Sequence, residues 1–178
     1  GIEHQNERTL GYLRVASVDL DAGKLMAASA GDFQRFIGSG GTPDWSRNGE
    51  SLAYRVCGAA ERIPCTLAIA SVATGQVREL RPKLSYFNNP HWSPDSQSVT
   101  VSGKDLKGRQ GFYRIDAQTG DISPLMVPIP GQIVQWASDG KKIYYRLRNR
   151  IIERELSSGL ERELFRRKGE GGSVSIKL

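Results

Sequence analysis

The chain has 178 residues, of which 38% are hydrophobic and 25% charged, and its formal net charge is +6 at pH 7. This composition is that of a globular protein, and no apolar run approaches the roughly 20 residues that a membrane-spanning helix needs, so we expect no membrane insertion. Basic residues indicate an anionic partner only where they are concentrated, so their position matters more than their total.

The N-terminal stretch predicts half of a repeat unit. From Tyr12 to Met26 the pattern is strand, turn and strand, with residues 21–23 in the turn, and no Trp-bearing hairpin precedes it. The first residues, GIEHQNERTL, contain neither an initiator Met nor an apolar signal core, so we expect Gly1 to mark a processing site or the boundary of a longer protein.

Three later segments share one pattern, at residues 42–56, 89–103 and 133–147. Each contains one of the chain's three tryptophans, Trp45, Trp92 and Trp136, which are spaced by 47 and then 44 residues. A short strand ends on each Trp, a polar turn follows, and a β-rich run completes a hairpin. One Trp at a fixed place in every repeat indicates a core residue between units, and not one that stacks sugars or bases.

A third strand, a glycine turn and a fourth strand follow each hairpin, with Gly75, Gly120 and Gly159 at the same place. We predict strands near 43–46, 51–56, 65–71 and 76–81, their equivalents in the next two repeats, and essentially no helix. Four short antiparallel strands with a period in the mid-forties are typical of a propeller blade. The predicted fold class is therefore all-β, a β-propeller of about three and a half to four blades.

The predicted blades cover residues 1–178, which we interpret as a single propeller domain. Because propellers ordinarily need about four to eight blades to close, we expect a part of a larger propeller, with a compact four-bladed ring as the alternative. Further blades or another copy of the chain would then cover the edges. The predicted blades are residues 1–41 (partial), 42–88, 89–132 and 133–171, with 172–178 starting or closing a further blade.

The turn motifs carry a family resemblance. The sequences WSPDS at 92–96 and DAQTG at 116–120 resemble the WSPDG and D-x-x-TG signatures of TolB-like propeller repeats, which are WD40-like. Arg47 and Asn48 depart from the pattern in the first copy, and Ala137 departs in the third. The resemblance implies a bacterial scaffold that binds a protein or peptide partner in the periplasm or another extracytoplasmic setting.

Cys57 and Cys65 flank the insert GAAERIP, between the second and third strands of one predicted blade. We predict a disulfide between them, because directly opposed residues on antiparallel strands are close enough to be bridged. Such a bond would favour an oxidising compartment. The alternative is a pair of small buried thiols. The only histidines are His4 and His91, so we predict no metal site.

The sequence contains no recognisable catalytic centre. The loop GSGG at 38–41 is neither a nucleophile elbow nor a phosphate-binding loop. His91 is interpreted as a packed or hydrogen-bonded residue, and Asp95 and Asp139 as turn residues and not as calcium ligands. We therefore predict no catalytic residue and no cofactor.

The segment from Arg146 to Lys168 carries eight cations and four glutamates. Because the two signs alternate, we interpret the segment as solvated strands with cross-strand ion pairs, and nucleic-acid binding is the least favoured function. Three functions remain open: a non-catalytic scaffold that binds a protein or another ligand, the substrate-gating propeller of a larger prolyl oligopeptidase-like hydrolase, and the sensor propeller of a transcription regulator.

Overall fold

A computed structural model describes residues 10–13, 16, 18–25, 33–37, 43–57, 65–127 and 132–167. These residues hold strands and turns but no helix, and so none that is long and apolar enough to cross a membrane. The strands are β1 (Leu10–Leu13), β2 (Val18–Asp19), β3 (Lys24–Leu25), β4 (Phe33–Ile37), β5 (Asp44–Trp45), β6 (Ser51–Val56), β7 (Thr66–Ser71), β8 (Val77–Leu80), β9 (Leu84–Trp92), β10 (Ser98–Asp105), β11 (Gln110–Asp116), β12 (Ile122–Met126), β13 (Gln132–Trp136), β14 (Lys142–Leu147), β15 (Arg150–Glu155) and β16 (Glu161–Arg166).

Twelve of these strands form three antiparallel sheets of four strands in chain order. Sheet I contains β5–β8, sheet II β9–β12 and sheet III β13–β16. This confirms the all-β class and the four-stranded repeat. The strand β9 begins at Leu84, five residues before the blade boundary placed at position 89, because its first residues also pair with the end of β10 around Asp105.

The N-terminal segment forms two antiparallel pairs, β1 with β4 and β2 with β3. The turn between β2 and β3 is held by Asp19, whose carboxylate accepts hydrogen bonds from the backbone N–H groups of Asp21 and Ala22. The strand–turn–strand pattern predicted for this region is thus present. The predicted final strand at 172–178 and the GSGG loop at 38–41 lie outside the described residues.

Apolar side chains fill the space between neighbouring sheets. Between sheets I and II, Leu67 and Ile69 join Phe87, Trp92 and Val101 in one cluster of buried residues. A second cluster joins sheets II and III, and in it the rings of Phe112 and Tyr145 meet edge to face, 5.8 Å apart. Face-to-face packing of successive four-stranded sheets is the arrangement of consecutive propeller blades.

The connections of the three sheets lie on two opposite faces. We call β5, β9 and β13, the first strand of each sheet, the inner strands. On one face, the turns after the inner strands lie with the β7–β8, β11–β12 and β15–β16 turns, and we name it the turn face. Here the backbone N–H of Asn48 in sheet I donates to the Ser96 hydroxyl in sheet II. At the other end of the strands, which we name the hairpin face, are the β6–β7, β10–β11 and β14–β15 connections and the link from β8 to β9.

Opposite charges in sheet III pair across strands, as the alternating sequence predicted. Glu153 contacts Lys142 at 3.4 Å and Arg162 at 3.1 Å, and Arg154 contacts Glu161 at 2.7 Å. Ion pairs at a protein surface typically contribute about 0–1 kcal/mol each, so these pairs order the strand surfaces more than they stabilise the fold.

Candidate binding pocket at the tryptophan ends of the inner strands

The end of each inner strand places a polar residue and a tryptophan at the turn face. These pairs are Asp44–Trp45, His91–Trp92 and Gln135–Trp136, at one repeat position in three successive sheets. With Arg47, Ser93 and Pro94 they line a cavity of about 410 Å³, which we name the tryptophan pocket. The equivalent strand ends of three successive sheets therefore lie side by side and together form one site.

Local hydrogen bonds fix where each inner strand stops. In sheets I and II the residue after the Trp is a serine, and its hydroxyl accepts the backbone N–H that opens the second strand, from Ser51 to Ser46 and from Ser98 to Ser93. The Ser93 hydroxyl also donates to Asp95. These bonds hold the turn tightly, and so set the position of the tryptophan before it.

Two of the three tryptophans are buried between sheets, as predicted. Trp92 is 7% exposed, and its indole N–H donates to the Asp44 carbonyl oxygen at 3.1 Å. Trp136 is 6% exposed, and its indole N–H donates to the Thr100 hydroxyl at 3.2 Å. The Arg114 guanidinium lies 5.4 Å from the centre of the Trp136 ring, within the range of a cation–π contact.

The prediction was wrong for Trp45, which is 48% exposed. Trp92 and Trp136 each bond to the first or second strand of the preceding sheet. Among the described residues before Trp45, only the pairs β1–β4 and β2–β3 occur, in the region where the sequence predicts third and fourth strands. Trp45 therefore has no described counterpart of β5 or β10 to accept its indole N–H, and its ring contributes to the pocket wall instead.

Asp44 and His91 form the polar part of the pocket and contact each other. The Asp44 carboxylate accepts the Trp92 backbone N–H at 2.7 Å and lies 3.9 Å from the His91 imidazole. Burial raises the pKa of Asp44, opposed by the Trp92 N–H and by His91. Burial also lowers the pKa of His91, opposed by the Asp44 charge. His91 is therefore mainly neutral at pH 7, with one ring nitrogen able to accept a proton.

The pocket contains Ser, His and Asp side chains, but their arrangement is not that of a hydrolytic triad. The Ser93 hydroxyl is buried and is engaged by Asp95 and Ser98 within its own turn. Ser46 makes the equivalent turn in sheet I, where no histidine is involved. Ser93 thus has a structural role that its repeat counterpart shares, and the two turns explain it without catalysis.

The other residues that the sequence singled out lie away from the pocket. Asp95 and Asp139 each accept backbone N–H bonds within their turns, as predicted for turn residues. Cys57 and Cys65 are joined as a disulfide at the hairpin face, with their Cα atoms 4.1 Å apart. Within the described ranges, no group of three His, Cys, Asp or Glu side chains is placed to hold a metal ion.

Sequence reasoning missed Asp44, Arg47 and Gln135 as pocket residues. The signal that identifies two of them was present, because Asp44 and Gln135 occupy the position that His91 occupies beside its own tryptophan. Arg47 was noted only as a departure from the turn motif. That departure places an exposed cation in the pocket wall at the position that Pro94 occupies in sheet II.

The fold and the pocket together define a β-propeller, and comparison with known structures is consistent with this class. TolB from Acinetobacter baumannii aligns with a TM-score of 0.60 and 20% identity, over 84% of this chain and 37% of that one. A TolB candidate from Agrobacterium tumefaciens aligns with a TM-score of 0.60 and 22% identity, over 75% and 48%. The chain therefore has a TolB-like propeller fold and spans less than half the length of these two proteins.

Peptidase propellers are also similar in structure. A prolyl endopeptidase aligns with a TM-score of 0.54 and 16% identity, over 76% of this chain and 24% of that one. The acylaminoacyl peptidase of Pyrococcus horikoshii aligns with a TM-score of 0.51 and 12% identity, over 70% and 25%. No protein-family model and no curated protein matches the sequence.

Proposed function

We propose that the chain is a non-catalytic propeller scaffold that binds a protein or peptide partner at the tryptophan pocket. The observation that carries this proposal is the exposure of Trp45 in a pocket whose other two tryptophans are buried. A tryptophan presents a large apolar surface with one N–H donor, and such residues dominate the binding energy of many protein interfaces. A partner side chain packed on Trp45 would supply the cover that sheets I and II give to Trp92 and Trp136.

The polar groups of the pocket favour recognition of a peptide segment. Hydrogen-bond donors and acceptors surround the tryptophan rings, and they come from Asp44, His91, Arg47 and Gln135. A mixture of aromatic surface and a few polar groups is typical of specific binding pockets. The volume of about 410 Å³ lies near the lower end of the range for ligand pockets, roughly 300–1,000 Å³. It suits one or two side chains of an extended segment.

Affinity capture from the organism's own extract tests this proposal. The wild-type chain is compared with Trp45→Ala and with Tyr86→Ala, a matched control because Tyr86 is 54% exposed and lies toward the hairpin face. We expect a protein that is retained by the wild type and the control and lost with Trp45→Ala. Retention by all three, or by none, would count against binding at the pocket.

An extracytoplasmic setting is part of the same proposal. It is supported by the Cys57–Cys65 pair, because a disulfide persists in oxidising compartments. Fractionation of cells that make the protein would place it in the periplasm or outside the cell, whereas recovery only with cytoplasmic markers would contradict the setting.

The second candidate is the substrate-gating propeller of a larger peptidase. The structural similarity to the propellers of a prolyl endopeptidase and an acylaminoacyl peptidase favours it. The catalytic residues would then belong to another domain of the same protein. Sequencing of the gene beyond the codon for Leu178 tests it, because a hydrolase domain requires a G-x-S-x-G elbow there.

A further inference from the structure

The fold separates charges that alternate along the sequence. Within the described ranges 79–85, 103–111, 146–151 and 163–167, which form the hairpin face, there are ten cations and three carboxylates. The cations are Arg81, Lys83, Lys104, Lys107, Arg109, Arg146, Arg148, Arg150, Arg166 and Arg167, and the carboxylates are Glu79, Asp105 and Glu163.

The turn face has the opposite balance. Its described ranges, 44–51, 71–78, 93–98, 116–122, 137–142 and 155–161, hold eight carboxylates and four cations. Several of these carboxylates are required where they are, because they accept backbone N–H groups of the tight turns, as Asp116 does from Gln118 and Thr119. The turn chemistry of the repeat therefore places negative charge at one end of the strands and leaves the other end free to carry positive charge.

All three carboxylates on the hairpin face are engaged locally, and Glu79 accepts a hydrogen bond from the Thr66 hydroxyl at 3.0 Å. Asp105 is 7% exposed and accepts from the backbone N–H groups of Lys107 and Arg109 and from the Arg109 side chain at 2.8 Å. Glu163 pairs with Arg150 and Arg166. These bonds fix the β10–β11 loop and the end of sheet III. Most of the cations remain exposed around them.

An apolar side chain projects from the same face. Leu106 is 70% exposed at the tip of the β10–β11 loop, between Lys104 and Lys107, and Asp105 beneath it holds the loop in shape. An exposed leucine among cations has no favourable contact in water. Its burial is favourable if it enters an apolar layer that lies just below a layer of anionic groups.

We propose that the hairpin face binds an anionic lipid surface peripherally, with the cations at the headgroups and Leu106 inserted at the boundary of the acyl chains. Cations of the link between sheets I and II and of sheets II and III lie at the same end of the strands, which suits a surface of negative charges. A single-stranded nucleic acid could stack its bases on the exposed rings of Tyr86 and Phe165, but it would have no use for the leucine at the loop tip. The site is distinct from the tryptophan pocket, so it stands or fails independently of the proposed partner.

Co-sedimentation with vesicles tests the proposal. The full chain is mixed with vesicles of phosphatidylcholine alone or with added phosphatidylglycerol. We expect binding only when phosphatidylglycerol is present, and weaker binding as salt rises, because screening reduces attraction to the surface. Failure to bind the anionic vesicles at low salt would overturn the proposal.

Matched charge reversals distinguish binding through the hairpin face from attraction that depends only on the net charge of the protein. Lys104→Glu with Lys107→Glu should weaken binding about tenfold or more, since each cation near an anionic surface contributes appreciably. Lys24→Glu with Lys141→Glu changes the net charge equally at two exposed sites outside the hairpin face, and should bind like the wild type. Equal loss in both double variants would overturn the proposal.

Two further variants keep the test decisive. Arg81→Glu with Lys83→Glu, in the link between sheets I and II, should repeat the loss if the β10–β11 variant does not fold. Leu106→Ser should weaken vesicle binding severalfold and leave its salt dependence unchanged, because it removes apolar contact only. Full binding by Leu106→Ser, or retention of a single-stranded oligonucleotide but not of vesicles, would contradict lipid binding.

Discussion

At the scale of single residues, the three tryptophans differ in what their removal should cost. Trp92→Ala and Trp136→Ala delete buried rings between sheets, so we expect each to lower the free energy of unfolding by roughly 3–5 kcal/mol. Trp45→Ala removes a half-exposed ring and should cost about 1 kcal/mol or less. Urea unfolding followed by circular dichroism measures all three.

Conservative variants allow the same comparison if a tryptophan-to-alanine variant is too unstable to measure. If an alanine variant does not fold, Trp92→Phe and Trp45→Phe replace it, and the order of the two losses should be the same. A loss at Trp45 as large as the loss at Trp92 would mean that Trp45 is buried in the protein, which would remove the basis of the proposed binding site.

His91 should make stability depend on pH. Burial lowers the pKa of His91 in the folded state below its ordinary 6.5, so just below pH 6.5 the unfolded chain binds the proton more readily. Stability should therefore fall as pH drops through this window, by at most about 1.4 kcal/mol per pH unit for one proton. Asp44 acts in the opposite sense at lower pH, because its pKa is raised.

The variant His91→Gln isolates this effect. Urea unfolding between about pH 5.5 and 7.5 should give a flatter pH dependence for the variant than for the wild type, with His4 present in both. Identical slopes for the two proteins would show that His91 does not change its pKa on folding.

At the scale of the strand, the β10–β11 hairpin depends on two glycines that face each other, Gly103 and Gly111. A Cβ at Gly111 would overlap the Met126 carbonyl oxygen and the Val127 side chain, and a Cβ at Gly103 would lie 2.7 Å from the Tyr86 carbonyl oxygen. The obstruction in both cases is backbone, which cannot move aside without disturbing the sheet.

We therefore expect Gly111→Ala to destabilise sheet II by about 1–3 kcal/mol or more, which is the usual cost of overpacking. Gly103→Ala should cost somewhat less, because its nearest contact is longer. Thermal unfolding measures both losses. An unchanged melting temperature for Gly111→Ala would contradict the described packing of β11 against β12.

The Cys57–Cys65 disulfide closes the β6–β7 hairpin, where Val56 pairs with Thr66 just inside it. Because only a short loop is closed, we expect its reduction, or Cys57→Ser with Cys65→Ser, to cost about 2–3 kcal/mol on the chain-entropy estimate. Thiol titration of the unreduced, denatured chain should find no free thiol. Two free thiols per chain would show that the bond is not formed in the protein.

At the scale of the whole molecule, the repeating strands and turns could be predicted from the sequence because each depends on local chemistry. The turn glycines, the serine and aspartate of the turns and the alternation of strand residues each specify a short piece of backbone. The strands of sheet I accordingly fall within a residue or two of their predicted positions. The longer β9 was missed, because the pairing of Leu84 with Asp105 depends on a partner strand that local pattern does not specify.

The pocket and the charged faces were not readable in the same way. Which tryptophan is buried depends on what the preceding sheet supplies, so Trp45 and Trp92 have the same motif and opposite exposure. Likewise, Arg148 and Glu161 are close in sequence but lie at opposite ends of the strands of sheet III. Both properties belong to the stacking of sheets and not to any one repeat.

Photo-crosslinking tests most directly whether this propeller binds a protein at the tryptophan pocket. Benzoylphenylalanine is placed at position 45, or at position 86 as the control, in cells that make the protein naturally. The pocket assignment predicts a discrete crosslinked protein from position 45 and none from position 86, since Trp45 lies in the pocket and Tyr86 toward the opposite face. No adduct from position 45, or the same adduct from both positions, would contradict it.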